Sequence, residues 1–152
     1  MRKPTLYVTI GPAACGKSTF AHAMMVSDKR LAVVSTDTIR KVLHGTEASQ
    51  EDPEAVFTLA YEDTKWSLRC GQDVVFDATN TTTWARDALL RAVGDIPCRK
   101  VAVCFTASLE DCLYRNENRA RQVPETVIHR QYRQYMRDAP SIPRQFDEIV
   151  TV

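Results

Sequence analysis

Short runs of apolar residues alternate along the chain with longer segments whose apolar positions recur every three or four residues. The short runs are typical of buried strands, and the longer segments are typical of helices. The predicted strands lie at residues 6–10, 31–35, 73–76, 100–105 and 146–151. Strands separated by helical segments predict parallel βαβ units with right-handed crossovers, and therefore an α/β fold with a five-stranded parallel sheet flanked by helices.

Helix boundary signals support this alternation. Pro53 opens a helix that runs to about residue 69, where Gly71 follows, and Gly94 closes another helix over 83–93. In the first of these, one apolar stripe is expected to contain Phe57, Tyr61, Thr64 and Leu68. Two more helices are predicted at about 108–118 and 124–137. No repeat or low-complexity tract interrupts the pattern, so we expect one domain over residues 1–152.

The composition indicates a globular protein without a membrane segment, a zinc site or disulfides. The chain has 152 residues, 44% hydrophobic and 26% charged, which is ordinary for a globular domain with a real core. No apolar run reaches the roughly 18 residues of a membrane span, and Met1 to Pro4 lead directly into the first strand, so we expect neither a membrane segment nor a signal peptide. The five cysteines form no C-x-x-C pair. Reduced thiols in a cytoplasmic protein fit better than zinc ligands or disulfides.

The net charge of +1 hides an uneven distribution. Basic residues exceed acidic ones in residues 1–44, whereas acidic residues dominate 45–98. A protein that coats a duplex shows a broad basic excess. The local excess seen here suits the binding of a few phosphates.

Residues 11–18 read GPAACGKS, which matches the phosphate-binding pattern G-x-x-x-x-G-K-S. The apolar strand before it and the helix after it are the context that makes a chance match improbable. The segment therefore predicts a nucleoside triphosphate site, with Lys17 on the β- and γ-phosphates and the Ser18 hydroxyl on Mg²⁺. The residues expected to contact ATP are Gly11, Ala13, Ala14, Cys15, Gly16, Lys17, Ser18 and Thr19.

The glycines of this segment are expected to let the backbone wrap a phosphate, because glycine tolerates positive φ without steric cost. Backbone N–H groups and the positive end of the following helix then point at the same anion. Cys15 lies between the two glycines, and we interpret it as a spacing residue rather than a nucleophile.

Polar residues follow the second and third predicted strands, where the carboxyl ends of a parallel sheet gather ligands. Asp37 could accept a proton from an attacking hydroxyl while Arg40 holds an anionic group of the acceptor. Asp37 could equally be an N-terminal helix cap. Asp77 suits an indirect contact with Mg²⁺ or water, or a turn at the end of its strand. Asn80 is a weaker candidate for substrate binding, because turn-forming side chains are expected there.

Arginines mark the junction of the last two predicted helices. Arg115 and Arg119 are four residues apart, so we expect them to share a helix face. Such arginines can stabilise the charge of a transferring phosphoryl group, so residues 115–124 are a candidate lid. The alternative is a solvated helix face with neighbouring acidic residues as partners.

Four segments taken together resemble the polynucleotide 5′-kinase family: GPAACGKST, STDTIR, VVFDATN and RNENRARQVPETVI. The similarity is to the kinase domain of bacteriophage and bacterial end-healing enzymes, and it follows the same order over nearly the whole chain. The resemblance implies a three-layer P-loop kinase fold with a helical lid, which uses ATP and Mg²⁺ to phosphorylate the 5′-hydroxyl end of DNA or RNA.

The resemblance also implies roles for individual residues. Asp37 matches the general base that takes the proton from the 5′-hydroxyl, and Arg40 matches the residue that grips the acceptor's 3′-phosphate. Arg119 matches the lid arginine that clamps the transferring phosphate, and Arg115 lies where the family contacts the nucleotide. The role of the neighbouring Arg121 stays open, because the spacing to the following Val-Pro pair can shift.

Many members of that family carry an added phosphatase or ligase domain. This chain has no D-x-D signature, so if it heals ends we expect it to supply only the kinase half, and a separate phosphatase or ligase as its partner stays open. Two other functions stay open. One is a kinase of a sugar acid, nucleoside, antibiotic or sugar nucleotide, in which Arg40 holds a substrate carboxylate or phosphate. The other is a nucleotide-gated binding module in which ATP orders residues 115–124.

Overall fold

The computed structural model describes residues 2–152 and shows a parallel sheet of five strands in the order β2-β3-β1-β4-β5. The strands are β1 (Thr5–Ile10), β2 (Ala32–Ser35), β3 (Val74–Asp77), β4 (Arg99–Cys104) and β5 (Glu148–Thr151). The prediction of a five-stranded parallel sheet is confirmed, with strand ends within a few residues of those expected. The central strand β1 pairs with β3 on one side and β4 on the other.

Seven α-helices connect these strands in the described chain. They are α1 (Lys17–Ser27), α2 (Thr36–His44), α3 (Pro53–Arg69), α4 (Thr83–Ala92), α5 (Leu109–Glu117), α6 (Glu125–Asp138) and α7 (Ile142–Gln145), with a 3₁₀ turn at Ala139–Ser141. Within residues 2–152, none of the helices combines the length and the apolarity needed to cross a membrane.

The helices cover both faces of the sheet, because successive strand residues point to opposite sides. Leu6, Val8 and Ile10 of β1 are fully buried in the core formed with α3, α4 and α7. On the other face, Tyr7 packs in the clusters that also contain residues of α1 and α5. Full burial of one such aliphatic side chain stabilises the fold by about 1.5–3 kcal/mol.

The buried stripe of α3 agrees with the expected stripe at its last two positions. At its first two positions the buried residue is the one that precedes the expected residue. Its fully or nearly fully buried side chains are Val56, Ala60, Thr64 and Leu68. The expected Phe57 and Tyr61 are only half-buried and lie at the margin, where the Tyr61 ring stacks on Phe76 with centroids 6.1 Å apart. Smaller residues occupy the positions that face the sheet because the helix packs close to it.

A buried arginine that sequence analysis did not single out ties the helices to the end of β3. Arg86 of α4 is fully buried, and burial lowers its pKa. Its guanidinium donates to the carbonyls of Asn80 (2.8 Å) and Asp138 (2.6 Å), to Ser141 Oγ (3.0 Å) and to Gln145 Oε1 (2.8 Å). A buried charge is tolerated when its donors are satisfied, so Arg86 fixes α6 and α7 against the turn after β3.

Candidate active site

The phosphate-loop segment, residues 11–18, joins β1 to α1 and uses its glycines in two different ways. Gly16 has φ 107°, which favours glycine, whereas a Cβ on Gly11 would lie 2.6 Å from Cys15 Sγ. Gly11 is therefore required for space. The expectation that both glycines serve positive φ is wrong, because the second left-handed residue of the loop is Ala14, with φ 64°.

Lys17 begins α1 and is buried, with 8% of its surface exposed. Its Nζ donates to the carbonyl of Pro12 at 2.6 Å and lies 3.7 Å from Cys15 Sγ. The ammonium group thus folds back on its own loop and has to turn towards any bound phosphate. Burial raises the pKa of the Cys15 thiol, which is consistent with its interpretation as a spacing residue.

Ser18 and Asp77 meet at the start of α1. Ser18 Oγ donates to Asp77 Oδ2 at 3.0 Å, and Asp77 is buried at the end of β3. Burial raises the pKa of Asp77, while Lys17 and the Ser18 hydrogen bond oppose that shift. A hydroxyl and a carboxylate beside a phosphate site are the oxygen donors that Mg²⁺ takes. Across residues 2–152 no group of three or more His, Cys, Asp or Glu could hold a metal alone, so phosphate oxygens would have to complete the coordination.

Asp37 lies in the first turn of α2, but it does not cap the helix. The cap is Ser35, whose Oγ accepts a hydrogen bond from the Thr38 backbone N–H at 3.3 Å. The capping alternative left open by the sequence is therefore excluded for Asp37. Its carboxylate instead accepts from Arg40 Nη1 at 2.8 Å.

A cavity of about 300 Å³ connects the two groups of residues. Its lining includes Ser18 and Asp77, Asp37 and Glu47, and His22 of α1. We call it the acceptor cavity. A phosphate on the loop and a hydroxyl group beside Asp37 would therefore share one space.

The side chain of Asn116 closes the turn between α5 and α6, residues 118–124. The Asn116 amide donates to the Val123 carbonyl (2.8 Å) and accepts from the Val123 N–H (3.0 Å). Because α5 ends at Glu117, Arg119 lies in this turn. The expectation that Arg115 and Arg119 share a helix face is therefore wrong, although both lie beside the site.

Both helices flanking the turn contact the phosphate loop. Arg115 Nη1 donates to the Cys15 carbonyl at 2.9 Å, and Gln131 Oε1 of α6 accepts from the Ala13 N–H at 2.8 Å. Sequence analysis did not find Gln131, since a lone polar residue on a helix carries no motif. The proposed lid and the loop are therefore joined by direct hydrogen bonds.

Arg119 is the most unusual side chain of the site. Its Nε and Nη2 atoms are buried and have no hydrogen-bond partner within residues 2–152. Burial and the neighbouring Arg121 lower the pKa of Arg119, while Asp37 and Glu47 act in the opposite direction. Buried guanidinium donors without partners are costly, so Nε and Nη2 of Arg119 are candidates for binding an anion.

Arg121, whose role the sequence left open, bridges the two acidic residues of the acceptor cavity. Its Nη2 lies 2.9 Å from Asp37 Oδ2 and its Nε lies 2.6 Å from Glu47 Oε2. Sequence analysis missed Glu47, which follows Gly45 in an irregular loop and belongs to no motif.

Asn80 has the structural role in the turn after β3 that the sequence offered as its alternative. It is buried in a left-handed conformation (φ 47°), and its Nδ2 donates to the carbonyls of Thr9 (2.9 Å) and Ala78 (3.3 Å). The Gly11 N–H donates to the Thr79 carbonyl at 2.9 Å. The turn after β3 therefore anchors the phosphate loop, while substrate binding by Asn80 and nucleotide binding by Thr19 stay predictions.

Comparison with known proteins agrees with this geometry. A family model described as an AAA domain matches residues 6–139. No curated protein matches the chain significantly. The structure resembles the Pnkp1/Rnl/Hen1 RNA repair complex, with TM-score 0.83 and 17% identity over 93% of this chain and 47% of that one. This chain therefore spans about half the length of that relative.

Two further solved structures, of differently named proteins, show the same fold. One is Kti12 from Chaetomium thermophilum in complex with ADP-AlF3, with TM-score 0.71 and 18% identity over 97% of this chain and 88% of that one. The other is a gluconokinase from Sinorhizobium meliloti, with TM-score 0.61 and 19% identity over 100% and 83%. At such identities the likeness shows the fold alone, which is the α/β P-loop kinase fold.

Proposed function

The chain belongs to the AAA-domain family, and we propose that it is an ATP-dependent kinase that phosphorylates the 5′-hydroxyl end of DNA or RNA. One observation carries this proposal. A single cavity is lined by Ser18 at the end of the phosphate loop, by Asp77 and by Asp37, whose carboxylate pairs with Arg40 and Arg121. A donor phosphate and an acceptor hydroxyl can therefore be held in line, which is the main requirement of phosphoryl transfer.

On the nucleotide side, the phosphate loop supplies backbone N–H groups and Lys17 supplies a charge for the β- and γ-phosphates. Ser18 and Asp77 have the donor chemistry to hold Mg²⁺, which neutralises phosphate charge when bound. The hydrogen bond from Lys17 to Pro12 has to break for this contact, and the loop keeps its shape through Asn80 and Gln131.

On the acceptor side, Asp37 would accept the proton of the attacking hydroxyl. The hydroxyl oxygen then forms a bond to the γ-phosphorus, the bond from that phosphorus to the β–γ bridging oxygen breaks, and ADP leaves. Arg119 would bind the equatorial oxygens of the transferring group, since its unpaired Nε and Nη2 lie near Asp37.

Arg40 supports an acceptor that carries a negative charge near its hydroxyl. Its side chain is mostly buried, contacts Asp37 at 2.8 Å and lies over the Phe57 ring at 6.0 Å, so its position is fixed. A terminal nucleotide with a 3′-phosphate provides such a charge, and guanidinium groups bind phosphate well.

The size of the acceptor cavity also favours a second candidate, a kinase of a small anionic molecule such as a sugar acid. About 300 Å³ holds one nucleotide-sized group, and a free small molecule of that size would fit as well. The gluconokinase with the same fold belongs to this class by name.

A separate phosphatase or ligase acting on the same ends is the class of partner that we propose. The relative with TM-score 0.83 was solved in a complex named for RNA repair, and this chain spans only part of it.

The test is transfer of labelled γ-phosphate from ATP and Mg²⁺ to short 5′-hydroxyl oligonucleotides of DNA and RNA. Matched 5′-phosphorylated oligonucleotides and a sugar acid such as gluconate form the other arms. We expect label on the 5′-hydroxyl oligonucleotides only. Label on the sugar acid alone would establish the second candidate, and ATP binding without label on any acceptor would favour the binding module.

A further inference from the structure

Arg121 joins two segments that are far apart in the chain. It lies in the turn between α5 and α6, whereas its partner Glu47 lies in the loop after α2, 74 residues earlier. The same guanidinium reaches Asp37, which also pairs with Arg40. These contacts link four charged side chains, of which Asp37 and Glu47 line the acceptor cavity.

The backbone on both sides holds this bridge in place. The two hydrogen bonds between the Asn116 side chain and the Val123 backbone close the turn, which restricts the positions that Arg121 can take. Gly45 ends α2 in the left-handed conformation and sends the chain into the loop that carries Glu47. The side chains of Arg121 and Glu47 are about one-third exposed, which screens their attraction less than full exposure would.

The bridge has a consequence for Arg119, two residues earlier in the same turn. Both Asp37 and Glu47 lie close enough to affect the pKa of Arg119, yet its Nε and Nη2 pair with neither. Arg121 already occupies Asp37 Oδ2 and Glu47 Oε2. Arg121 therefore takes two of the carboxylate oxygens near Arg119, and Nε and Nη2 of Arg119 stay available to an anion.

We propose that the Arg121–Glu47 ion pair is a latch that holds the turn over the acceptor cavity and thereby positions Arg119 for the transferring phosphate. This proposal rests on the proposed kinase function. Arg121 and Glu47 are positioning residues, because they act through Arg119 and the turn. The contact of Arg121 with Asp37 gives way when the acceptor hydroxyl takes its place at Oδ2, while the contact with Glu47 persists.

The latch can be tested without any turnover, by limited proteolysis. Trypsin cleaves after arginine, so cutting after Arg119 and Arg121 reports how often the turn opens. We expect Glu47→Gln to speed this cleavage about three- to tenfold, as loss of a partly buried ion pair should. The matched control is Glu51→Gln, in the same loop but with an exposed side chain that does not reach the turn. Equal cleavage rates of Glu47→Gln and wild type would overturn the latch.

Kinetics then tests the positioning of Arg119. We expect Glu47→Gln to lower kcat about three- to tenfold while the Kd for ATP stays unchanged, because Arg119 acts on the transferring phosphate. Glu47→Asp, which keeps the charge, should recover part of this loss. In a double-mutant cycle, adding Glu47→Gln to Arg121→Gln should cost little more than Arg121→Gln alone. Additive losses would overturn the proposal.

The two measurements separate failure of the latch from failure of the proposed function. If proteolysis responds to Glu47→Gln but oligonucleotides take no label, the latch stands and the acceptor assignment is wrong. If oligonucleotides take label but neither cleavage nor kcat responds, the latch is wrong and the kinase assignment stands.

Discussion

The two sides of the acceptor cavity are built in different ways. The nucleotide side consists of residues 11–18 and Asp77, and its loop is held by hydrogen bonds from the turn after β3 and from the Gln131 side chain of α6. The acceptor side consists of Asp37, Glu47 and the turn after α5, held by ion pairs between half-exposed side chains. Backbone geometry fixes the first side before any ligand binds, whereas the second can rearrange.

This difference matches what each side has to do. A phosphate loop gains from preorganisation, because donors already in place need no reorganisation during transfer. Exposed ion pairs contribute only about 0–1 kcal/mol each, so an incoming acceptor can replace one of them at small cost. A lid that closes over the reacting groups also excludes water.

The largest effect is expected from Arg119→Ala, at the point where the two sides meet. We expect kcat to fall about 10³- to 10⁴-fold, as for other arginines that bind the transferring phosphate. The Kd for ATP and the melting temperature should stay near wild type, since Nε and Nη2 have no protein partner to lose. The control is Arg130→Ala, an exposed arginine of α6. Weaker ATP binding with kcat unchanged would show that Arg119 already acts in the ground state.

Breaking the nucleotide side with Lys17→Ala should cost about 10³-fold in kcat/KM, because a preorganised charge on the phosphates is lost. In contrast to Arg119→Ala, this variant should also bind ATP more weakly, as titration calorimetry can measure. Lys29→Ala, on the exposed surface after α1, serves as the control. Unchanged ATP affinity would mean that Lys17 stays on the Pro12 carbonyl when ATP is bound.

On the acceptor side, Asp37→Asn should lower kcat about 10²- to 10³-fold through loss of the general base. ATP binding should be unchanged, since Asp37 contacts Arg40 and Arg121 and not the phosphate loop. Single-turnover transfer to a 5′-hydroxyl oligonucleotide measures the chemical step directly. Normal turnover by this variant would remove the base assignment.

The smallest effect is expected from Arg40→Gln, which tests whether the acceptor side binds an anionic group of the acceptor. We expect KM to rise about tenfold for a nucleoside 3′-phosphate and much less for the nucleoside itself, because only the first carries the anion that Arg40 binds. Equal changes for both acceptors would show that Arg40 serves mainly to orient Asp37.

Local sequence patterns were sufficient to predict the fold and the phosphate loop on the nucleotide side. Strand and helix positions followed from apolar periodicity, and the phosphate loop followed from eight consecutive residues between a strand and a helix. The stripe of α3 was displaced by one residue because its exact rotation depends on how closely the helix packs on the sheet. Asp37 could not be separated from a helix cap until Ser35 was seen to perform that role.

The sequence by itself determined the α/β architecture, the phosphate loop and the strand-end residues, because each depends on neighbours within a few positions. Only the tertiary structure decided that Arg86 is a buried hub, that Nε and Nη2 of Arg119 are buried without a partner within residues 2–152, and that Arg121 pairs with Glu47. Arg86 and Arg121 contact residues that lie up to 84 positions away in the chain. Such contacts depend on how the helices pack around the sheet, and no local pattern of residues encodes that packing.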